Sequence, residues 1–410
     1  MNRRFKLIVV TSSTLLVILL LAGARYGKSA SPDDTYKHIA VYTEVLSRIK
    51  SDYVEEPDMK IVTLGAVNGL LESIDPYASY LNADQYREYL KAKDQKKASI
   101  GLLVSKRFGY VNIVDAIPGS PAAKAGLSTG DVIESINSVS TRDMPLAFAE
   151  ILMQGDPGST IELGILRLRK PEPQKVTLTR ANIVYPAVTS KMAGDGIGLI
   201  TVQSLATDQA QEVANQVRDL EKQGAKKLIL DLRDCASGDP AKGIQLASVF
   251  LPSGLVTYTE GQKSPRHDFT ASGSPVEAKL PLVVLTNRGT ADGAEIAAAA
   301  LQDDKRAKVV GERTYGEAAV QSAITMDDGA AVILSTAKYY SPSGKAIQDT
   351  GVTPEVAVLD SQAAVESPED DSLPPAPAPQ KSGEDTILKK AIELLTSPAS
   401  PATSTSASLR

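Results

Sequence analysis

Apolar positions recur with three different periods in successive stretches of this 410-residue chain. From Tyr36 to Tyr53 they fall at helical spacing (Ile39, Tyr42, Val45, Leu46, Ile49), and again from Met59 to Ser73 (Val62, Leu64, Val67, Leu70, Leu71). A charged helix is predicted over Asn82 to Lys96. From Ser99 the period shifts to two. Strands are predicted at Ile100 to Val104, Tyr110 to Ala116, Thr160 to Arg169 and Lys175 to Arg180, with a helix from Pro145 to Met153.

From Ile183 strands and helices alternate. Gly196 to Val202 and the buried run Lys227 to Leu232 flank an amphipathic helix, Asp208 to Gln223. Further helices are predicted at Ala241 to Phe250 and Gly293 to Gln302, and strands at Leu282 to Leu285, Lys308 to Val310 and Ala331 to Lys338. This β-α-β alternation implies a mostly parallel sheet covered by helices. Residues 361–383 are rich in Pro, Ala, Ser and acids and bury too little apolar area to fold. Glu384 to Thr396 reads as a short amphipathic helix.

Composition changes this picture little, except at the N-terminus. A net charge of −5 gives no basic face for nucleic acid. The single cysteine, Cys235, excludes an intrachain disulfide. Arg3, Arg4 and Lys6 precede an apolar run from Leu7 to Ala22, closed by Gly23-Ala24. That pattern reads as a secretory signal or, at close to the ~20 residues that span a bilayer, an uncleaved anchor. Either reading exports the body of the protein, to the periplasm or the cell envelope, and an uncleaved segment would make the membrane a partner.

The phrase Ala122-Ala123-Lys124-Ala125-Gly126-Leu127, followed by Gly130-Asp131-Val132-Ile133, resembles a PDZ domain. Such domains take a peptide C-terminus as an added strand, its carboxylate held by backbone N–H groups of a Gly-containing loop. The matching loop is Ile100-Gly101-Leu102-Leu103, with Ser99 standing where processing-protease PDZ domains have Gly. The facing helix offers Ala149 and Met153 together with Leu146 and Ile151, and Glu150 is expected to face solvent. The alternative is a PDZ fold serving as a structural lid without peptide affinity.

The stretch Asn287 to Gln321 carries the candidate chemistry. An apolar strand, a Gly-containing turn and an Ala-rich helix form the arrangement that lifts a nucleophile to the lip of a sheet. Together with Gly194 to Gly198, Gln223 to Arg233 and Tyr339 to Gln348, this stretch resembles the carboxyl-terminal processing peptidases, also called tail-specific proteases. The resemblance spans roughly residues 36 to 358 and the helix near 390. It implies an α/β fold with a Clp-protease/crotonase-like peptidase core, a PDZ domain inserted before it and a helical N-terminal unit. It also implies a Ser–Lys dyad. The Ser position reads Asp292, within Gly289-Thr290-Ala291-Asp292-Gly293, and the Lys position reads Glu317. The family's supporting Asp and Gln match Asp303 and Gln321. The loop that helps form the family's oxyanion hole reads Asp234-Cys235-Ala236-Ser237-Gly238.

A serine dyad needs a hydroxyl and a neutral amine, and these two positions supply neither. Thr290 lacks a matching base, and a Cys235–His267 pair is the only other nucleophilic arrangement within the core. Asp292 has three readings: a helix cap with Glu295, a cation site shared with Glu317, and an acid–base pair with Glu317. The expected organisation is a signal peptide or anchor over 1–30, a helical unit over 31–96, a PDZ domain over 97–182, a processing-peptidase-like core over 183–360, and a disordered tail over 361–410 with a helix at 384–396. The function implied is peptide binding by a dyad-less member, as scaffold or regulator, with an active peptidase of unrecognised mechanism as the alternative. No cofactor or metal is expected. Peptide or protein C-termini are the expected partners, alongside a second copy or an active paralogue.

Overall fold

The computed structural model describes residues 32–94, 97–107, 109–142, 144–167, 170–194, 196–272, 280–359 and 385–397. The basic and apolar segment over 1–30 and the Pro-rich stretch over 361–383 lie outside the described residues. The chain divides into a unit ending at Ala66 and a unit beginning at Val67. In the first, α1 (Pro32–Asp52) carries Ile39, Val41, Tyr42 and Val45, all exposed. A second helix, α2 (Met59–Glu72), runs on into the second unit.

In the second unit, β1 (Ser79–Leu81) and α3 (Ala83–Asp94) precede a small β-rich body. That body comprises β2 (Ala98–Ser99), β3 (Leu102–Arg107), β4 (Tyr110–Ala116), α4 (Pro121–Lys124), β5 (Val132–Ile136), β6 (Val139–Ser140), α5 (Leu146–Met153), β7 (Gln154–Gly155), β8 (Thr160–Arg167) and β9 (Lys170–Thr179). Its main sheet has the order β3-β4-β5-β8-β9, so β3 stands at an edge. The strand expected over Ile100 to Val104 is broken. Gly101 adopts φ +76°, and a Cβ there would lie 2.3 Å from Cβ of Ser120, so only glycine fits this turn.

The larger body holds a sheet of order β10-β11-β12-β15-β16-β19: Thr189–Met192, Ile197–Thr201, Lys227–Asp231, Leu282–Thr286, Ala307–Gly311 and Val356–Ala357. All pairs are parallel except β10 with β11. Alternate residues feed opposite layers. Leu228 and Leu230 pack beneath α6 (Gln209–Lys222), α7 (Pro240–Phe250) and α8 (Gly293–Asp303), while Ile229 packs with Ile387 and Ala391 of α9 (Thr386–Thr396). Burial on both faces is why β12 reads as an unbroken apolar run. Helices α7 and α8 cross closely: a Cβ on Gly243 would lie 2.0 Å from the Gly293 carbonyl oxygen.

A second, antiparallel sheet has the order β1-β18-β13-β14, with β17 also on β18. It uses Ala331–Tyr340 (β18), Leu255–Gly261 (β13), Ser264–Thr270 (β14) and Ala319–Thr325 (β17). Sequence periodicity does not reveal β13, β14 or β17. Through β1, residues 75–81 join this sheet to the small body. Ser79 pairs opposite Ile333, its hydroxyl accepts the Ala147 N–H at 3.2 Å, and Asp75 accepts from Ser335 N–H at 2.9 Å.

A carboxylate-lined cleft as candidate functional site

Strand β15 ends at Thr286, and the chain turns through residues 287–291 before α8 begins. Two loops are stitched together here. The Asn287 carboxamide oxygen accepts N–H groups from Asp234 and Gly289, each at 3.0 Å, and its Nδ2 donates to Asp234 Oδ1 at 2.8 Å. The Ala291 N–H donates to the Cys235 carbonyl at 3.1 Å. Thr290 is fully buried and its hydroxyl donates to the Leu232 carbonyl at 2.8 Å, so it is a structural tie rather than a nucleophile.

Asp292 stands at the head of α8 with φ +50° and ψ −122°. This is a costly conformation for a residue with a Cβ, and it places the side chain at the lip of the sheet. Its own N–H donates to Glu295 Oε2 at 3.2 Å, which is the Glu295 half of a capping box. Glu295, fully buried, reaches further. It accepts the Gly316 and Glu317 N–H groups, both at 2.8 Å, and the Thr314 hydroxyl. One carboxylate therefore ties the helix start to the loop that carries Glu317.

Asp292 and Glu317 line the same cavity, of about 230 Å³. Its other polar lining is Glu150, Gln321, Gln348 and Tyr77, and its apolar walls are Leu146, Ala147, Pro240 and Ala319. Glu150, expected to face solvent, is exposed and at the same time lines this space. The Asp292 carboxyl is raised well above its usual range, first by desolvation and then by the charges of Glu317, Glu295 and Asp239. Burial also carries Glu295 up to about 7, outweighing the four donors that favour its ionised form.

The other predicted site residues are dispersed. Gln321 reaches the cavity and donates to the Tyr77 carbonyl at 3.5 Å. Asp303 sits at the opposite end of α8, accepting from the Ser343 N–H at 2.9 Å. Cys235 is buried, and desolvation, with Asp115 and neighbouring carboxylates, drives its thiol pKa up, away from thiolate chemistry. His267 lies on exposed β14, edge-on to Phe269. Among the described residues no group of three or more His, Cys, Asp or Glu is arranged to hold a metal ion.

The proposed peptide-binding positions are enclosed. Ile100, Leu102, Ala149 and Met153 are buried in the core of the small body. Leu103 packs on the opposite side of β3, against a cluster of Val114, Ala236, Ala291 and Tyr315. The Gly101 N–H donates to the Ser99 hydroxyl at 3.1 Å, so Ser99 caps the loop internally. The Tyr315 hydroxyl bonds Ser105 of β3. Asp115, on β4, faces the 234–238 loop; its Oδ2 is buried without a hydrogen bond, and burial followed by the Asp234 charge lifts the carboxyl to about 7.

Comparisons with known proteins agree with this layout. Residues 196–358 match peptidase family S41 and residues 113–167 match the PDZ domain. A carboxyl-terminal-processing protease from Synechocystis sp. is 32% identical, over 86% of this chain and 84% of its own length. A carboxy-terminal processing protease from Bacillus subtilis is 32% identical, over 85% and 74%. The solved photosystem II D1 C-terminal processing protease superposes with a TM-score of 0.63 at 25% identity, covering 78% of this chain and 92% of that one. The expected α/β peptidase core with a PDZ domain is thus the observed fold, and the chain belongs to the carboxyl-terminal processing proteases of peptidase family S41.

Proposed function

We propose that this chain binds extended or C-terminal peptide segments without cutting them, as an exported scaffold or regulator. One observation carries the reading. The cavity at the head of α8 is lined by three carboxylates, two carboxamides and a phenol, with no Ser, Thr, Cys, Lys or His among its described lining residues. A hydroxyl or thiol nucleophile and a proton-accepting amine or imidazole are both missing from the place where peptide cleavage would occur. The retained turn, the Glu295 ties and Gln321 support a cleft kept in shape for binding.

The β3 edge supports strand addition as the mode of capture. Export rests on the basic and apolar segment before residue 25. The names of the relatives favour a second reading, an active peptidase, and the lining residues speak against it. Fluorescence anisotropy of an unstructured, apolar-tailed peptide with the full-length protein tests the binding reading. Saturable binding that is weakened by Ala147→Trp, which fills the cavity, is the expected result. No binding to any free C-terminal peptide would refute it.

A further inference from the structure

A second cavity, of about 240 Å³, lies at the far end of α8 from Asp292. One side is formed by Ala299, Gln302 and Asp303, the other by the segment Ser341 to Thr353. Its floor is apolar, with Ala346, buried Ile347 and buried Val352. The polar groups around it are largely spent. Gln302 Nε2 donates to the Thr353 carbonyl at 3.0 Å, the Ser341 and Ser343 hydroxyls bond each other at 3.1 Å, and the Thr350 hydroxyl donates to the Ala346 carbonyl.

Two charges are left at the rim. The Lys345 ammonium has no ion pair or hydrogen bond among the described residues, in contrast to nearby Lys338, which pairs with Asp349 at 2.9 Å. Asp303 uses only Oδ2, for the Ser343 N–H. Lys345 and Asp303 are not paired with each other, although both border the same hollow.

An apolar hollow with an unpaired cation at its mouth suits a ligand with one apolar group and one carboxylate. From this arrangement we infer a binding site for the carboxylate of an apolar amino acid, its side chain on Ile347 and Val352 and its carboxylate on Lys345. The volume is below the roughly 300–1,000 Å³ of most small-molecule sites, which limits the occupant to a single residue. That residue could be free or the last of a peptide chain. A free amino acid would also place its ammonium on Asp303 Oδ1, which a peptide C-terminus cannot do. The site is independent of the cleft at Asp292.

Calorimetric titration of the full-length protein with leucine, N-acetyl-leucine and leucinamide tests this. The carboxylate ligands are expected to bind saturably at millimolar concentration and leucinamide at least about tenfold more weakly, since a charge-assisted contact is lost. Leucine binding more tightly than N-acetyl-leucine identifies the free amino acid as the occupant, and the reverse order identifies a peptide C-terminus. Lys345→Gln, a change at an exposed side chain, should weaken both carboxylate ligands about tenfold. Ala346→Leu should abolish binding by filling the floor. Leucinamide binding as well as leucine, affinity unchanged in Lys345→Gln, or no binding of any of the three would each overturn the assignment.

Discussion

Glu295 Oε2 accepts the backbone N–H of Glu317 at 2.8 Å, across 22 positions of sequence, while the same oxygen holds the N–H of Asp292. The head of α8 and the loop that carries Glu317, the two positions proposed to have lost a nucleophile and a base, are thus fixed by one buried carboxylate that belongs to neither. Glu295→Gln would turn an amide NH₂ toward N–H donors in a site closed to water. Unpaired buried donors cost about 1–3 kcal/mol each, so urea unfolding should show a loss of about 2–4 kcal/mol. An unchanged midpoint would mean that the ties do not hold the cleft.

Three carboxyls bind protons more tightly in the folded chain than in the unfolded one. Asp115 and Glu295 sit at about 7, and Asp292 is raised as well, each first of all by burial. The folded state then carries protons that the unfolded state releases, so the stabilisation present below about pH 4 is lost as pH rises toward 7. The thermal midpoint should therefore be higher at about pH 5 than at about pH 8, and Asp115→Asn should flatten that slope. A midpoint that climbs over this interval would contradict the assignment.

Ser79 caps the start of α5 from outside, because Pro145 at the N-cap offers no side-chain acceptor. Ser79→Ala should cost about 1 kcal/mol, the usual value of a lost cap. Hydrogen exchange should quicken at Ala147 and along β1, and a Ser79→Thr variant should restore protection.

Arg233 links the cleft loop to the C-terminal helix. Its guanidinium donates to Asp231 (Nε to Oδ1, 2.8 Å) and to both Asp385 oxygens, at 2.9 and 2.8 Å, and Asp385 also caps α9 through the Leu388 N–H. Burial opposes the Asp385 charge, but Arg233 outweighs it and holds the carboxyl below its usual range. Asp385→Asn should speed exchange throughout Thr386–Thr396 by about tenfold, because a charged bidentate contact becomes a neutral one. The wild-type contact itself should weaken only as pH falls below about 4.

How much of this could be read from residues alone follows from burial. The β12 run and the stripe on α6 are legible because each has one uniform environment per face. The PDZ phrase is legible because its glycines meet fixed demands, as at Gly101. The strands β13, β14 and β17 are not, since β14 and β17 are mostly exposed and carry no apolar alternation. Groove and core are indistinguishable at Leu102, on a strand, and at Ala149 and Met153, on a helix, where periodicity assigns a face but not what covers it. Leu103, partly buried, and Ser105, fully buried, on the other face pack against the peptidase body, a contact that local pattern cannot contain. The same holds for Glu150: helical spacing points it away from the PDZ core, and only the docking of that helix over the cleft makes it a lining residue. That Asp292 and Glu317 line one cavity follows from the turn and helix around them, whereas the role of Glu295 beyond a simple cap does not show in the sequence.

The central claim is that the cleft does not cut. The most direct measurement is mass spectrometry of an unstructured, apolar-tailed peptide after prolonged incubation with the full-length protein and with its Asp292→Ala variant. The account predicts intact peptide in both. Cleavage by the wild-type protein that Asp292→Ala abolishes would contradict it.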